Sequence, residues 1–222
     1  IKGSLLEFDG DATGALAQYQ KAIEAKPDFV NAHSAAIGSQ LKAGKLDEAA
    51  KQLDALKKIS SKHPQVFLLD AQINYQRKDY KAARESAQQL LKLSPNNPAS
   101  LQMAGAIEYQ LRAYLQAETY LAKALQSAPG LPLARRLLVA SHLRTGQPGT
   151  ALETLQPILG RIDQDSALLA LAGEAYLQQG EPNKAAEYFS KASKLEPENA
   201  AKKTSLALAH MAQGNSESAF QE

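Results

Sequence analysis

The sequence repeats itself with a period of 34 residues, and this feature constrains the fold more than any other. Aligned on itself at that shift, the chain has alanine at Ala15, Ala49, Ala83, Ala117, Ala151, Ala185 and Ala219. A second column contains Pro27, Pro95, Pro129 and Pro197, and a third contains Gly10, Gly44, Gly146, Gly180 and Gly214. Self-similarity at such a period predicts a stack of small structural units that bury their apolar faces against their neighbours.

Each copy has the pattern of two helices joined by a turn. In the clearest copy, Leu169, Ala172 and Tyr176 follow the spacing of one helical face, which predicts a helix over 166–179. Gly180 suits the end of that helix and Pro182 suits the start of the next, expected over 184–195. The sequence therefore predicts an all-α protein.

The landmarks of this copy resemble the tetratricopeptide repeat family. The residues that match its pattern are Gly173, Tyr176, Ala185, Phe189 and Pro197, while Leu169 replaces the family's tryptophan and Ala172 its leucine. The resemblance implies a right-handed α-solenoid of helix–turn–helix units, an alpha–alpha superhelix with a concave groove. We expect a single array over 1–222, a fragment of a longer protein. Its copies are a partial repeat at 1–29, complete repeats at 30–63, 64–97, 98–131, 132–165 and 166–199, and a partial repeat at 200–222.

Composition and motifs exclude several functions. The net charge is +2 with no basic stripe, which argues against a nucleic-acid partner. No apolar run reaches about 18 residues, so we expect no membrane insertion by this chain. There is no cysteine, and the four histidines form no metal-binding motif. We predict no catalytic residues, no cofactor and no metal site, and therefore no enzyme.

Two polar features have alternative interpretations. Asp9, Gly10 and Asp11 resemble the start of a calcium loop but stand where the repeat needs a turn, which we favour. Asn74, Glu108, His142 and Tyr176 share one column, with Asp70 one turn before the first of them. We expect a hydrogen-bonded ladder between stacked helices. The alternatives are a polar binding patch and an acid–base pair of Glu108 with His142.

The family resemblance implies that the first helix of each repeat faces a binding groove. The groove residues are then Gln72, Tyr75, Gln76, Gln102, Tyr109, Gln110, Arg136, Arg144, Glu174 and Gln178. Tyrosine with amide and arginine neighbours is typical of protein-binding surfaces, although Tyr75 and Tyr109 could instead pack against the adjacent helix. Chaperone-tail adaptors of the family use a carboxylate clamp that no copy here contains.

Four stretches have a closer resemblance, namely 74–80, 104–111, 155–159 and 171–177. Together they resemble the bacterial repeat lipoproteins of the PEP-CTERM sorting system, the PrsT group. The resemblance implies a periplasmic or outer-membrane-anchored scaffold in a Gram-negative bacterium, acting in exopolysaccharide export or PEP-CTERM protein sorting. Its partner would be a protein or peptide, including the polysaccharide-export machinery. Alternatives are a cytoplasmic adaptor or regulator, an accessory repeat domain of a larger enzyme, and direct polysaccharide binding.

Overall fold

The computed structural model describes the backbone of residues 2–221 and, apart from residues 216, 220 and 221, their side chains. In that range the chain forms fourteen α-helices and one 3-10 segment, with no β-strand. The predicted all-α solenoid of helix–turn–helix units is confirmed.

The helices alternate between the first and second helix of each repeat. The first helices are α1 (Lys2–Phe8), α3 (Val30–Lys42), α5 (Pro64–Gln76), α7 (Pro98–Gln110), α9 (Pro132–Arg144), α11 (Ser166–Gln178) and α13 (Ala200–Ala212). The second helices are α2 (Ala12–Ala25), α4 (Leu46–Ser60), α6 (Tyr80–Leu93), α8 (Tyr114–Ser127), α10 (Pro148–Leu155), α12 (Pro182–Leu195) and α14 (Ser216–Gln221). From α3 to α13 every first helix has 13 residues and begins 34 residues after the one before it.

The chain divides into two compact units, residues 1–111 and residues 112–222. Unit 1 contains α1 to α7, and unit 2 contains α8 to α14. Within each unit consecutive helices pack on each other, and first helices also contact the first helices of neighbouring repeats. Each unit thus presents adjacent first helices on which residues from different repeats come together.

From Ala15 to Ala185 the alanine column is completely buried between helices. Its members Ala15, Ala49, Ala83, Ala117, Ala151 and Ala185 are all 0% exposed. A methyl group fits where the two helices of a repeat meet, whereas a larger side chain would push them apart. Close packing is the physical reason for this column.

The turns between the helices of a repeat share one backbone conformation. The five glycines of the third column have φ between 71° and 84°, in the left-handed region. Lys78 and Arg112, which interrupt that column, adopt the same conformation with φ of 62° and 59°. The repeat therefore imposes the left-handed turn even where the sequence lacks glycine.

The segment from Asp9 to Asp11 is one of these turns. Gly10 has φ of 84°, and Asp11 Oδ1 accepts a hydrogen bond from the Gly14 amide at 2.8 Å. Asp11 thus caps the start of α2, as aspartate commonly does at a helix N-terminus. The turn interpretation is confirmed.

The second helix of the 132–165 repeat departs from the pattern. The α-helix α10 ends at Leu155, and residues 156–161 continue as a 3-10 segment. Pro157 has no N–H to donate to a carbonyl one turn earlier, so it interrupts the α-helical bonding there. Ile158 and Leu159 still pack against the core of unit 2, so the apolar contacts survive the change of helix type.

Candidate functional site

In unit 1 the predicted groove residues form an uncharged surface on α5 and α7. We call it the Tyr–Gln face, and its members are Gln72, Tyr75, Gln76, Gln102, Tyr109 and Gln110. The two helices are joined across it, because Gln110 Nε2 donates a hydrogen bond to Tyr75 Oη at 3.1 Å. Gln76 and Gln110 are exposed, and the other four are partly buried. The structure therefore brings these residues from two repeats onto adjacent helices.

Tyr75 of this face also contacts the second helix of its own repeat. Its ring packs edge-to-face on Tyr80 of α6, with the ring centroids 5.4 Å apart. Burial raises the pKa of the Tyr75 phenol, and the nearby hydroxyls of Tyr80 and Tyr109 raise it further, while the hydrogen bond from Gln110 opposes them. Tyr75 thus packs against the adjacent helix yet stays partly accessible, and its neutral hydroxyl retains a hydrogen to donate.

Gln102 adds an acceptor to the same face. Its Oε1 atom is buried and has no hydrogen-bond partner among the residues that the structure describes. A buried carbonyl without a donor is unfavourable by about 1–3 kcal/mol.

In unit 2 the predicted groove residues form a charged surface on α9 and α11. We call this surface the charged face, and its members are Arg136, Arg144, Glu174 and Gln178. Arg144 Nη1 lies 3.3 Å from Glu174 Oε1, and Gln178 Nε2 donates to the same oxygen at 3.3 Å. The Glu174 carboxylate therefore links two repeats, as the bond between Gln110 and Tyr75 does in unit 1.

Arg136 has a structural partner. Its Nη2 atom contacts both carboxylate oxygens of Asp165, at 3.0 and 3.3 Å. Asp165 also caps α11 by accepting from the amides of Ala167 and Leu168. Burial raises the pKa of Asp165, but the hydrogen bonds from Leu168, Arg136 and Ala167 outweigh it and hold the pKa below its usual value. Arg136 therefore holds Asp165, the residue that caps the first helix of the next repeat.

The polar column of first helices is bonded to second helices. Glu108 of α7 binds the guanidinium of Arg84 on α6 through both oxygens, with Arg84 Nε donating at 2.9 Å. Asp70 of α5 accepts from Lys57 at 2.8 Å and from Ser86 at 2.6 Å. For Glu108 and Asp70 the predicted hydrogen-bonded ladder is confirmed.

In the equivalent pair of unit 2 the second helix contributes the acidic side chain and the first helix contributes the basic one. His142 of α9 lies with Nδ1 3.6 Å from Glu118 Oε2, and Thr145 donates to the other Glu118 oxygen at 2.7 Å. Within their own units Glu108 lies against Arg84 and His142 lies against Glu118.

Sequence reasoning missed Arg84 and Glu118, the partners in these pairs. Both stand 24 residues before the residue they contact, at the same position of successive repeats. The signal in the sequence is a pair of complementary polar residues 24 positions apart, one on a second helix and one on the following first helix.

Two further features of the described residues bear on function. Between residues 2 and 221 no group of three or more histidine, aspartate or glutamate side chains is arranged to hold a metal ion. Over the same range no helix has both the length and the apolar character needed to cross a membrane.

The stacked helix pairs with polar faces on their first helices define a helical-repeat protein of the α-solenoid class. The sequence profile of the tetratricopeptide repeat matches residues 9–73 and 108–175, and a second profile of that repeat matches 68–132 and 170–222. The chain belongs to the tetratricopeptide repeat family. No curated protein has a significantly similar sequence.

Solved structures share the fold at low sequence identity. A tetratricopeptide repeat protein from Parabacteroides merdae is 18% identical with a TM-score of 0.70, over 99% of this chain and 87% of that one. PilW, a type IV pilus biogenesis factor, is 20% identical with a TM-score of 0.77, over 86% and 89%. YrrB, a repeat protein with an unusual peptide-binding site, is 19% identical with a TM-score of 0.67, over 88% and 97%.

Proposed function

We propose that this chain is a non-catalytic scaffold that binds an extended peptide segment of a partner on its first helices. The observation that carries the proposal is the Tyr–Gln face, where uncharged hydrogen-bonding side chains of two repeats lie side by side. The family assignment supports it, because tetratricopeptide repeats generally act as protein-interaction scaffolds.

The chemistry of the Tyr–Gln face favours an extended segment over a helix. A glutamine side chain offers both an N–H donor and a C=O acceptor, as a peptide bond does. An extended segment leaves its own backbone groups available for such bonds, whereas a helix uses most of them internally. The exposed amides of Gln76 and Gln110 would then pair with backbone groups of the bound segment.

Unit 2 would add apolar and ionic recognition. On α13, Leu208 is 53% exposed and Met211 is 62% exposed. These residues stand four periods after Gln72 and Tyr75, so they occupy the same positions of their repeat. We infer that a segment bound to unit 2 presents an apolar side chain to Leu208 and Met211. It would also present a charged side chain to Arg144 or Glu174.

For the biological setting we propose assembly of a Gram-negative cell envelope, in exopolysaccharide export or PEP-CTERM protein sorting. The support is the resemblance of stretches such as 104–111 and 171–177 to the PrsT group. The fold shared with PilW, itself a pilus biogenesis factor, and with YrrB, which has a peptide-binding site, is compatible with it. The proposed location is the periplasm or the outer membrane, and the competing setting is a cytoplasmic adaptor.

The test is a crosslinked pull-down from native cells with the complete natural protein as bait. The informative variant is Gln76→Ala with Gln110→Ala, because both side chains are exposed and their loss leaves the core intact. The matched control is Gln88→Ala with Gln89→Ala, which removes two exposed glutamines from the second helix α6. We expect envelope or polysaccharide-export proteins that are lost with the first variant and kept with the control.

Other results would overturn one part of the proposal each. Recovery of cytoplasmic partners alone would remove the envelope setting. Partners retained by the informative variant and by Tyr75→Ala with Tyr109→Ala would remove the Tyr–Gln face as the site. Binding of purified polysaccharide that both variants abolish would replace the peptide by a glycan.

A further inference from the structure

One edge of unit 1 exposes a large apolar side chain at each connection between repeats. At this edge the last turn of a second helix and the loop that follows it lead into the next first helix. We call this surface the loop edge, and it consists of residues 22–29, 57–63 and 90–97. Phe29 is 41% exposed, Ile59 is 45% exposed and Leu93 is 49% exposed. Each of the three segments therefore presents one apolar side chain to solvent.

The loop edge is also basic. Its two acidic residues are Glu24 and Asp28, and its five lysines are Lys26, Lys57, Lys58, Lys62 and Lys92. Lys57 is paired with Asp70, whereas the other four lysines are exposed and have no ion-pair partner among the described residues. The fold assembles this charge from segments one period apart, so it does not stand out as a stripe along the sequence.

The corresponding segments of unit 2 have neither property to the same degree. They are residues 124–131, 159–165 and 192–199, three periods further along the chain. Their charged residues are two basic and four acidic ones, namely Arg161, Lys194, Asp163, Asp165, Glu196 and Glu198. Among these described residues Leu195, at 38%, is the one large apolar side chain that is exposed. The repeat pattern itself therefore does not require the combination found on the loop edge.

Contacts between repeats hold two of these segments in place. The buried His33 lies with Nε2 2.8 Å from the Pro27 carbonyl oxygen and with Nδ1 2.7 Å from Gln52 Nε2 on α4. Lys57 Nζ, in the last turn of α4, donates to Asp70 of α5 at 2.8 Å. The loop that contains Phe29 and the helix end that contains Ile59 are thus both tied to neighbouring helices.

We propose that the loop edge binds the surface of an anionic phospholipid bilayer. The lysine ammonium groups would lie among the lipid phosphates, and Phe29, Ile59 and Leu93 would contact the boundary between headgroups and acyl chains. Lysine suits this arrangement because its stem covers apolar surface while its ammonium group stays in water. The chain would lie on the membrane without crossing it.

The composition of the loop edge favours a lipid surface over an acidic protein. All five of its cations are lysine and none is arginine. Protein interfaces are enriched in arginine and depleted in lysine, and arginine has the planar group that pairs with a carboxylate through two bonds. Apolar side chains that protrude from successive repeats match a flat surface that extends past all of them. The loop edge is separate from the Tyr–Gln face, so this binding does not depend on the peptide proposed there.

Co-sedimentation of the 222-residue chain with lipid vesicles tests the proposal. We expect saturable binding to phosphatidylcholine vesicles that contain about 30% phosphatidylglycerol, and binding about tenfold weaker or less to phosphatidylcholine alone. Binding should also weaken as salt is added, because salt at about 0.1 M already screens exposed charges beyond about 10 Å.

Lysine substitutions locate the binding surface. Lys58→Gln with Lys62→Gln should weaken binding about 20-fold, since each lysine close to an anionic bilayer contributes about fivefold. The matched control is Lys78→Gln with Lys81→Gln, which removes two exposed lysines from the turn between α5 and α6, at the opposite edge of unit 1. The control should leave the affinity nearly unchanged.

A tryptophan reporter distinguishes membrane contact from other binding. The chain has no tryptophan, so Phe29→Trp introduces a single one on the loop edge. Its emission should shift to shorter wavelength with phosphatidylglycerol vesicles and be quenched by brominated acyl chains. Phe8→Trp, at an 89% exposed position at the opposite edge of unit 1, should show neither change.

Three results would overturn the proposal. They are no binding to phosphatidylglycerol vesicles, equal loss of binding in the two lysine variants, and an unchanged emission of Phe29→Trp on the vesicles. Saturable binding of polyglutamate in place of vesicles would also overturn it, and would assign the loop edge to an acidic protein partner.

Discussion

Two pairs of side chains at the same repeat positions differ in chemistry between the two units. In unit 1 the second-helix member is Arg84 and the first-helix member is Glu108. In unit 2 the second-helix member is Glu118 and the first-helix member is His142. The 34-residue period determines where the polar side chains meet, whereas their identity decides whether the contact is a permanent ion pair or one that depends on protonation.

The first-helix faces differ in the same way. Unit 1 joins its helices through neutral partners, Gln110 and Tyr75, and unit 2 joins its helices through Arg144 and Glu174. One backbone design can therefore present an uncharged surface in one unit and an ionic surface in the other.

The largest effect is expected from Arg84→Met. This change leaves the Glu108 carboxylate, whose side chain is 10% exposed, without its partner. Removal of one member of a buried ion pair is strongly destabilising, and since Arg84 itself is partly exposed we expect a loss of about 2–3 kcal/mol in the free energy of unfolding. Urea denaturation measures it. The double variant Arg84→Met with Glu108→Gln should recover most of the loss, and no recovery would mean that packing, not charge, is responsible.

Substitutions in the alanine column should affect both units alike. Ala83→Leu in unit 1 and Ala151→Leu in unit 2 should each lower the free energy of unfolding by about 1–3 kcal/mol, because both sites are fully buried. The controls are Ala99→Leu and Ala122→Leu, at exposed helical positions of the two units. Unchanged melting temperatures of the buried variants would contradict the packing role of the column.

The left-handed turns should respond to glycine with opposite signs. Lys78→Gly should stabilise the protein by about 1 kcal/mol, because it removes the steric cost of a side chain at positive φ. Gly146→Ala at the equivalent turn of unit 2 should destabilise it by a similar amount. Thermal denaturation of the two variants is the measurement, and shifts of the same sign would refute the shared turn geometry.

The smallest effect is a pH dependence confined to unit 2. Burial lowers the pKa of His142 below its ordinary value of 6.5, although Glu118 and Glu153 oppose the shift. The folded state then binds fewer protons than the unfolded state, so stability is fully present above pH 6.5 and decreases as the pH falls towards the folded-state pKa. His142→Gln should flatten this part of the stability curve. A curve unaffected by His142→Gln would contradict the assignment.

The fold could be predicted from sequence because its determinants recur. Ala117 and Gly180 each belong to a column in which one residue type appears several times, so chance agreement is excluded. The turn at Lys78 follows from the same register, although the residue itself disfavours the conformation. The early end of α10 could not be read from the repeat pattern, because Pro157 acts on a single copy.

The candidate site could be predicted only in part. The repeat register indicates which residues share a helix face, and it placed Tyr75 and Gln110 on neighbouring helices. It does not give the reach of a long side chain, so the engagement of Arg136 with Asp165 was not foreseen.

The 3-10 segment at residues 156–161 has a consequence for how unit 2 opens. Its backbone bonds span three residues and have poorer geometry than those of an α-helix, and Pro157 donates none. In a repeat stack, where stability is close to a sum of local terms, the weakest segment opens before global unfolding. Amide protons of residues 156–161 should therefore exchange with solvent sooner than those of α8 or α12. Transient opening there would release the flanking repeats from each other while their own helices stay intact.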